Sequence, residues 1–464
     1  MGDKAFNKKG KVFRDQVHGL IRIEPDDAFI LDLINTPEFQ RLRRIRQLGV
    51  SSMTYSGAEH TRFAHSLGVF NFAQRITNFL LLRYREIPDL VELLQQNQQI
   101  IKAAALLHDI GHGPFSHMIE RAFPALADHE KKTVSLIKDS RFIPQILNQA
   151  GICPQEVADI ILKKTENRIL VDIISSQLDA DRMDYILRDA LNTGVKYGSY
   201  DAEWVLNSLC VGQEPNGTDG NLRSLRLCLD EQRGLHSAEQ IVMARMHMSF
   251  QVYYHRVTRG WEAHMLCLLN LAAKQAKTGE LPSGTSNLLL SFLQKEGNLE
   301  NDDWVFFDES CLESSLHAWA STNHGVLGEM SRKFLLREKL FECVNLESIS
   351  LSASIKLSKQ AAEIGEENIF WLLDDPAFTS YKDFDAGFRS KGTDDRAAIS
   401  TSAILVSSGD FHSTARPAEA LSLVLSALGD NPVGTRQSIR RFYYHSSLKD
   451  KFDKIFTDLR IKIM

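Results

Sequence analysis

An apolar run, Ile100 to Leu107, leads straight into His108-Asp109, and Gly111 then breaks the helix that such a run predicts. Adjacent residues of a helix point about 100° apart, so both side chains can reach one ion placed beyond the helix end. Gly113-Pro114 turns the chain, which lets His112 and His117 face the same place from another side. Six of the 15 histidines fall between positions 60 and 129: His60, His65, His108, His112, His117 and His129. A lone buried histidine commonly satisfies a backbone carbonyl and does no more. A His-Asp doublet with two further histidines close behind it reads instead as a metal site. Its mixed imidazole–carboxylate chemistry suits Mn, Fe or Zn, and Mg less comfortably. One doublet cannot close a coordination sphere. The candidates for the remaining ligands are His65 and one aspartate from Asp179, Asp181 and Asp184.

The surrounding chain reads as mostly α. Thr36-Pro37 supplies a cap and an N1 proline for a helix through Ile45, closed by Gly49. Phe70–Leu82 and Ile100–Leu107 are apolar enough for buried helices, and a long helical run extends from about Ala238 to Lys277 with Gly260 as its weak point. Strand signals are sparse. Leu222–Leu227 alternates apolar and polar after the turn chemistry of Pro215–Gly220, so a small β-hairpin insertion is expected at Val205–Leu229. Ile399–Val406 is a weaker strand candidate. The Gly279–Ser286 loop divides a catalytic region, 1–278, from an α-rich C-terminal region with minor β structure, 279–464.

With 43% hydrophobic and 24% charged residues, the chain can bury a large core and is no disordered or fibrous protein. Its net charge of -5 does not suggest a coat for nucleic acid, although a local basic groove is compatible with it. Apolar stretches are far shorter than a membrane span, and Met1–Lys11 is polar and basic rather than a secretory signal. Six scattered cysteines without a CxxC read as reduced thiols, so the expected location is the cytoplasm.

Taken together, Lys11–Asp15 with His18-Gly19, Thr36–Gly49, His60–Val69, Ala105–His117, His129-Glu130, Asp179–Asp189 and Arg245–Arg256 follow a known order and spacing. The chain closely resembles the HD-domain phosphohydrolases, in the branch of deoxynucleoside triphosphate (dNTP) triphosphohydrolases related to the sterile-alpha-motif and HD-domain enzyme. The likeness covers about residues 11–260 and is loose beyond them; no sterile-alpha-motif domain is expected ahead of residue 11. It implies an HD-domain helical fold and hydrolysis of a dNTP to a deoxynucleoside and inorganic triphosphate, with one divalent metal per site, be it Mn, Fe, Mg or Zn. By motif, His65, His108, Asp109 and Asp181 would be the ligands, and His112, His117, His129 and Glu130 the catalytic group. Arg62, Arg182 and Arg245 would hold phosphates. Gln47, Asp189 and Tyr253 would surround the deoxyribose, with Tyr185 packed where a 2′-hydroxyl would sit. A departing 5′-oxygen needs a proton donor, for which His117 is the first choice and His129 the second.

Regulated members of the family assemble as tetramers and are switched on by guanine nucleotides, so the resemblance implies a homo-oligomer, dimer or tetramer, and a nucleotide effector as a further partner. Gln40 and Arg43 match the regulatory pattern. Asn35 stands where the guanine-reading aspartate would be, and an amide cannot accept two N–H donors as a carboxylate does. Glu203 and Glu231 fall where phosphate-binding arginines are expected, which argues against the same activator; Arg14 and Arg233 offer a different anion site. Two other readings compete with the triphosphohydrolase. One is an HD phosphodiesterase or nuclease acting on other nucleotides or nucleic acid; the other is a nucleotide-sensing protein with a degenerate site.

Overall fold

The computed structural model describes residues 10–123, 129–214, 220–295, 297, 299–322, 325–346, 349–375, 404–425 and 439–461. It is a mostly α-helical body that carries three small sheets among the described residues. Two long helices, Arg62–Arg83 and Pro88–Leu107, pack along each other at its centre. Pro88 occupies the first turn of the second helix, where its missing N–H costs nothing. Against the Arg62–Arg83 helix lies a third, Ala180–Thr193. Asp179 caps it by accepting from the Arg182 N–H, and Gly194 ends it in a left-handed conformation. The approach is close: a Cβ at Gly68 would stand 1.9 Å from Asp184 Oδ1. Only glycine permits this contact.

The hairpin is present but shorter than expected. Leu209–Gln213 pairs antiparallel with Leu225–Asp230, whereas Val205 belongs to a short helix and Leu222–Ser224 to a 3-10 turn. Most of the Pro215–Gly220 turn lies outside the described residues, as does 399–403 of the second strand candidate. Leu405–Ser407 does form a strand, parallel to Leu225–Asp230. The long helical run is two helices, Leu235–Met248 and Arg256–Thr278, separated by a π-turn at Ser249–Tyr253. The break falls there rather than at Gly260, which sits inside the second helix. Thr36 caps as expected, accepting from the Phe39 N–H. Its helix, however, runs only over Pro37–Gln40 and tightens to a 3-10 turn at Arg41–Arg44.

Gly279 ends the Arg256–Thr278 helix with φ 75°, and the helices beyond it pack into the same core as those before it. Leu289, Phe292, Leu316 and Phe334 join the cluster that holds Phe70, Leu106 and Ile173. A second, smaller core gathers Val344, Leu357, Trp371, Phe442, Phe452 and Phe456 around the three-stranded sheet of Phe341–Asn345, Arg441–His445 and Trp371–Asp374. All six cysteines are free; Cys210, Cys228 and Cys267 are buried as core fillers. Among the described residues, no helix is long and apolar enough to cross a membrane.

Candidate active site

His65 projects from the first turns of the Arg62–Arg83 helix, and His108 caps the end of Pro88–Leu107. Each ring has one nitrogen fixed. His65 Nδ1 faces Asp184 Oδ2 at 2.8 Å, and His108 Nδ1 faces the Ala105 carbonyl at 2.9 Å. Acceptors at Nδ1 hold the proton there and leave the Nε2 lone pair for a ligand. Both Nε2 atoms are buried without a hydrogen bond among the described residues. Two carboxylates converge on them. His65 Nε2 lies 3.0 Å from Asp181 Oδ1 and 3.6 Å from Asp109 Oδ2. His108 Nε2 lies 3.5 Å from Asp109 Oδ1 and 3.7 Å from Asp181 Oδ1. Donors about 2.1 Å from a common centre stand roughly 3.0–3.4 Å apart; His65, His108 and Asp109 bring ligand atoms within 4.8 Å of one another and could hold one cation, with Asp181 against both histidines. Asp179 is not part of it: its carboxylate is spent on the backbone N–H groups of Ser176 and Arg182.

The electrostatics agree. Burial opposes a charged His65, but the adjacent Asp181 and Asp184 more than offset it and push its pKa up to about 10. Asp181 is held below the ordinary carboxylate range, the two histidines outweighing its burial.

Behind the ligands runs a buried relay that sequence spacing does not reveal. Asp184 takes His65 on one side and His18 Nε2, at 2.7 Å, on the other. Arg188 donates to Asp184 and reaches Asp15 at 2.9 Å. The sequence separation of 119 between His65 and Asp184 hides the pair from any local pattern.

Beside the metal set stands a second group. The rings of His112 and His129 stack with centroids 3.8 Å apart, and His117 meets both edge-on. The carboxylate among them is Glu120, which faces His117 Nδ1 at 3.1 Å and His129 Nδ1 at 3.0 Å. Glu120 was not among the expected residues, although its i+3 spacing from His117 is legible. Glu130 is half-buried in the first turn of the His129–Asp139 helix. Despite burial, Glu120 is held far below the usual glutamate range by His117 and His129, while His129 is shifted upward by Glu120 against its own burial. His112 is pushed well down by burial and by the Arg62 and His129 cations. Asp109 joins the two groups, since its Oδ1 also stands 3.2 Å from His112 Nε2.

The remaining expected residues border this centre. Buried Arg62 donates to Asp109 and, at 2.8 Å, to Ser116 Oγ. Arg182 donates to the Ser176 carbonyl and lies 3.3 Å from Asp179 Oδ2. Arg245 donates to Gln177 Oε1 at 2.7 Å. Asp189 accepts from Tyr253 at 2.8 Å and faces His60 Nε2 at 2.7 Å, and the Tyr185 and Tyr253 rings meet edge-on at 6.5 Å. The Gln47 N–H donates to the His60 carbonyl, and its buried Oε1 has no partner among the described residues. Away from the centre, Asn35 is exposed at the end of the Ala28–Ile34 helix. Gln40 donates to the Ile34 carbonyl and accepts from Arg43, whose guanidinium lies 3.5 Å over the Phe63 ring.

An HD-domain model matches residues 62–189, the segment that carries His65, His108, Asp109 and Asp181. The chain is also 34% identical over 440 residues to the uncharacterized protein YwfO of Bacillus subtilis, covering 94% of this chain and 93% of that protein. It belongs to the HD-domain phosphohydrolases. Within them it is related to the deoxynucleoside triphosphate triphosphohydrolase branch. The human deoxynucleoside triphosphate triphosphohydrolase SAMHD1 is 32% identical over 218 residues, 40% of this chain and 34% of that one. The Gallus gallus SAMHD1 is 28% identical over 284 residues, 52% and 45%. This chain therefore matches less than half of each SAMHD1. A phosphohydrolase structure from Bacteroides thetaiotaomicron superimposes with a TM-score of 0.72 and 26% identity, covering 94% of this chain and 99% of that one. The protein is a metal-dependent hydrolase of this family, and its His/Asp set is of the kind that binds such a metal.

Proposed function

We propose that the protein hydrolyses dNTPs to a deoxynucleoside and inorganic triphosphate. The observation that carries this reading is the face of one helix, Ala180–Thr193. Asp181, Tyr185 and Asp189 recur there at i, i+4 and i+8, with Arg182 beside the first. Eight residues of helix advance about 12 Å, roughly the reach from an α-phosphate across a sugar to its base. Ligand, phosphate contact, sugar floor and sugar-hydroxyl partner thus follow in the order of a nucleotide's own parts. An open groove for nucleic acid would not need the closed His60–Asp189–Tyr253 chain at one end.

In this reading His65, His108, Asp109 and Asp181 hold the cation, which when bound supplies Lewis acidity toward the phosphate and an acidified water. Arg62, Arg182 and Arg245 balance the triphosphate's charge, bidentately where geometry allows. Hydrolysis adds water across the Pα–O5′ bond, so the sugar oxygen departs needing a proton. Glu120 accepts from His117 Nδ1, so a proton on His117 Nε2 creates an imidazolium that Glu120 stabilises. His129 is the second donor, and His112 and Glu130 complete the group. Gln47, Asp189 and Tyr253 receive the deoxyribose, and Tyr185 fills the space of a 2′-hydroxyl.

We also propose a homo-oligomer that does not require guanine nucleotides. Asn35 supports the second point. The glutamates support it less than their charge suggests, because Arg75 pairs with Glu203 and Arg416 with Glu231. The test is a panel of dNTPs and NTPs incubated singly with the protein and Mn or Mg, then again with GTP or dGTP, with products separated by chromatography. Deoxynucleoside plus triphosphate is expected from single dNTPs. Pyrophosphate or cleaved diesters as products would overturn the substrate assignment, and dNTPs inert without a guanine nucleotide would overturn the activator reading.

A further inference from the structure

Two consecutive non-glycine residues in the loop before His117 have positive φ: Phe115 with 56° and Ser116 with 54°. Such conformations persist only where the surroundings impose them. Here the surroundings include a segment far outside the HD-domain match. Glu309, the first residue of the Glu309–Ser321 helix, is buried, with 4% of its surface exposed. Its Oε1 accepts two backbone N–H groups, from Arg46 at 2.8 Å and from Phe115 at 3.3 Å, while Oε2 pairs with the Arg46 guanidinium. The Arg46 carbonyl in turn accepts from Ser116 Oγ at 2.9 Å, and that same oxygen accepts from Arg62 Nε at 2.8 Å. Arg62 ends on Asp109. One carboxylate therefore ties both strands of the frame that aims Arg62.

Its neighbour acts on the other side of the loop. The Phe307 carbonyl accepts from Arg41, whose second nitrogen donates to the Ile110 and His112 carbonyls. Phe307 and Glu309 thus brace the Ile110–His117 loop from both ends.

We propose that Glu309 is a positioning residue for phosphoester hydrolysis. It fixes the positive-φ Phe115–Ser116 turn through its two backbone acceptor contacts, and through that turn it sets Arg62 and His117. The proposal rests on the phosphohydrolase assignment and not on dNTPs being the substrate. Glutamine can still accept both N–H groups through its amide oxygen, whereas aspartate, one methylene shorter, keeps the charge but cannot reach both.

The experiment compares Glu309→Ala, Glu309→Gln and Glu309→Asp in the full-length, metal-loaded protein. The substrate is whichever nucleotide the wild type cleaves best, or bis(p-nitrophenyl) phosphate if it cleaves none. Glu309→Ala should lower kcat about 10- to 100-fold, the cost of a roughly 1 Å misplacement, with bound metal retained. Glu309→Gln should stay within about threefold of wild type, and Glu309→Asp should fall between the two. Amide hydrogen exchange adds a readout independent of turnover: peptides covering 113–118 should exchange faster in the alanine variant and stay protected in the glutamine variant. If the alanine variant does not fold, the ranking of glutamine above aspartate decides alone. Wild-type kcat in a folded alanine variant, or aspartate outperforming glutamine, would overturn the proposal, the latter assigning Glu309 to its charge.

Discussion

His65 and His108 in the active centre and His264 in the core are built to the same local rule, yet have opposite character. Each ring has one nitrogen held by an oxygen: Asp184 for His65, the Ala105 carbonyl for His108, the Met330 carbonyl for His264. All three leave the other nitrogen buried without a hydrogen bond among the described residues. What faces that nitrogen differs. For the first two it is Asp109 and Asp181; around His264 it is Trp261, Phe334 and Phe341, with ring centroids 5.5–5.9 Å away. The pKa values follow. Despite burial, carboxylates push His65 up to about 10 and raise His108, whereas burial among rings takes His264 down to about 4. An orphaned imidazole nitrogen is thus no sign of a metal site until converging carboxylates stand opposite it.

The sharpest way to break this comparison is to remove one member from each side. His108→Ala, Asp109→Ala or Asp181→Ala should strip the metal and reduce hydrolysis to background, because the donor set has no spare ligand. His264→Ala should lower stability and leave metal content and turnover as they are. Elemental analysis of the purified variants decides. Stoichiometric metal in Asp181→Ala would remove that residue from the set.

The next step sharpens the comparison within the active side, by separating holding the metal from using it. His117→Ala should retain metal and lose about 100- to 10,000-fold in turnover, the usual worth of a proton donor. Asp184→Asn touches no metal donor directly, yet it weakens the partner that orients His65. A loss of about 10- to 100-fold in metal affinity is expected, read by competition with a chelator. Unchanged affinity would mean that His65 is oriented by packing alone.

What the sequence made legible follows its local patterns. The apolar run ending at His108-Asp109 and the cap at Thr36 depend on neighbours a few residues apart, and the hairpin expected at Val205–Leu229 on the turn between its strands; all are present, the hairpin shortened to Leu209–Gln213 and Leu225–Asp230. What it concealed depends on distant contacts. Buried Arg41 turns inward to reach Phe307, Ile110 and His112, and the expected helix tightens at that point. The long helical run breaks at Ser249–Tyr253, where Tyr253 turns toward Asp189, and not at Gly260, whose missing side chain invites the guess. Glu120 lies three residues from His117, a spacing that by itself marks no site. The return of the chain at His129 adds the second histidine to the local contact with His117.

The smallest effect tests the core side of the comparison through pH. His264 has a folded pKa near 4, lowered by burial, against 6.5 in an unfolded chain. The unfolded state therefore binds the proton more readily. The sign follows: the stability that neutral His264 allows is complete above pH 6.5 and is lost as pH falls from there toward 4. A gap of about 2.5 units corresponds to about 3 kcal/mol, reached in full only below pH 4. Other groups titrate over the same range, so the measurement is a difference. Urea midpoints of wild type and His264→Phe are compared at pH 7.5 and pH 5, in metal-free protein so that ligand protonation acts equally on both. Phenylalanine suits the Trp261–Phe334–Phe341 surroundings and cannot charge. The wild type should lose about 2 kcal/mol more than the variant between the two pH values. Equal losses would show that His264 is hydrated in solution, and that its orphaned nitrogen differs from those of His65 and His108 by less than the ring contacts indicate.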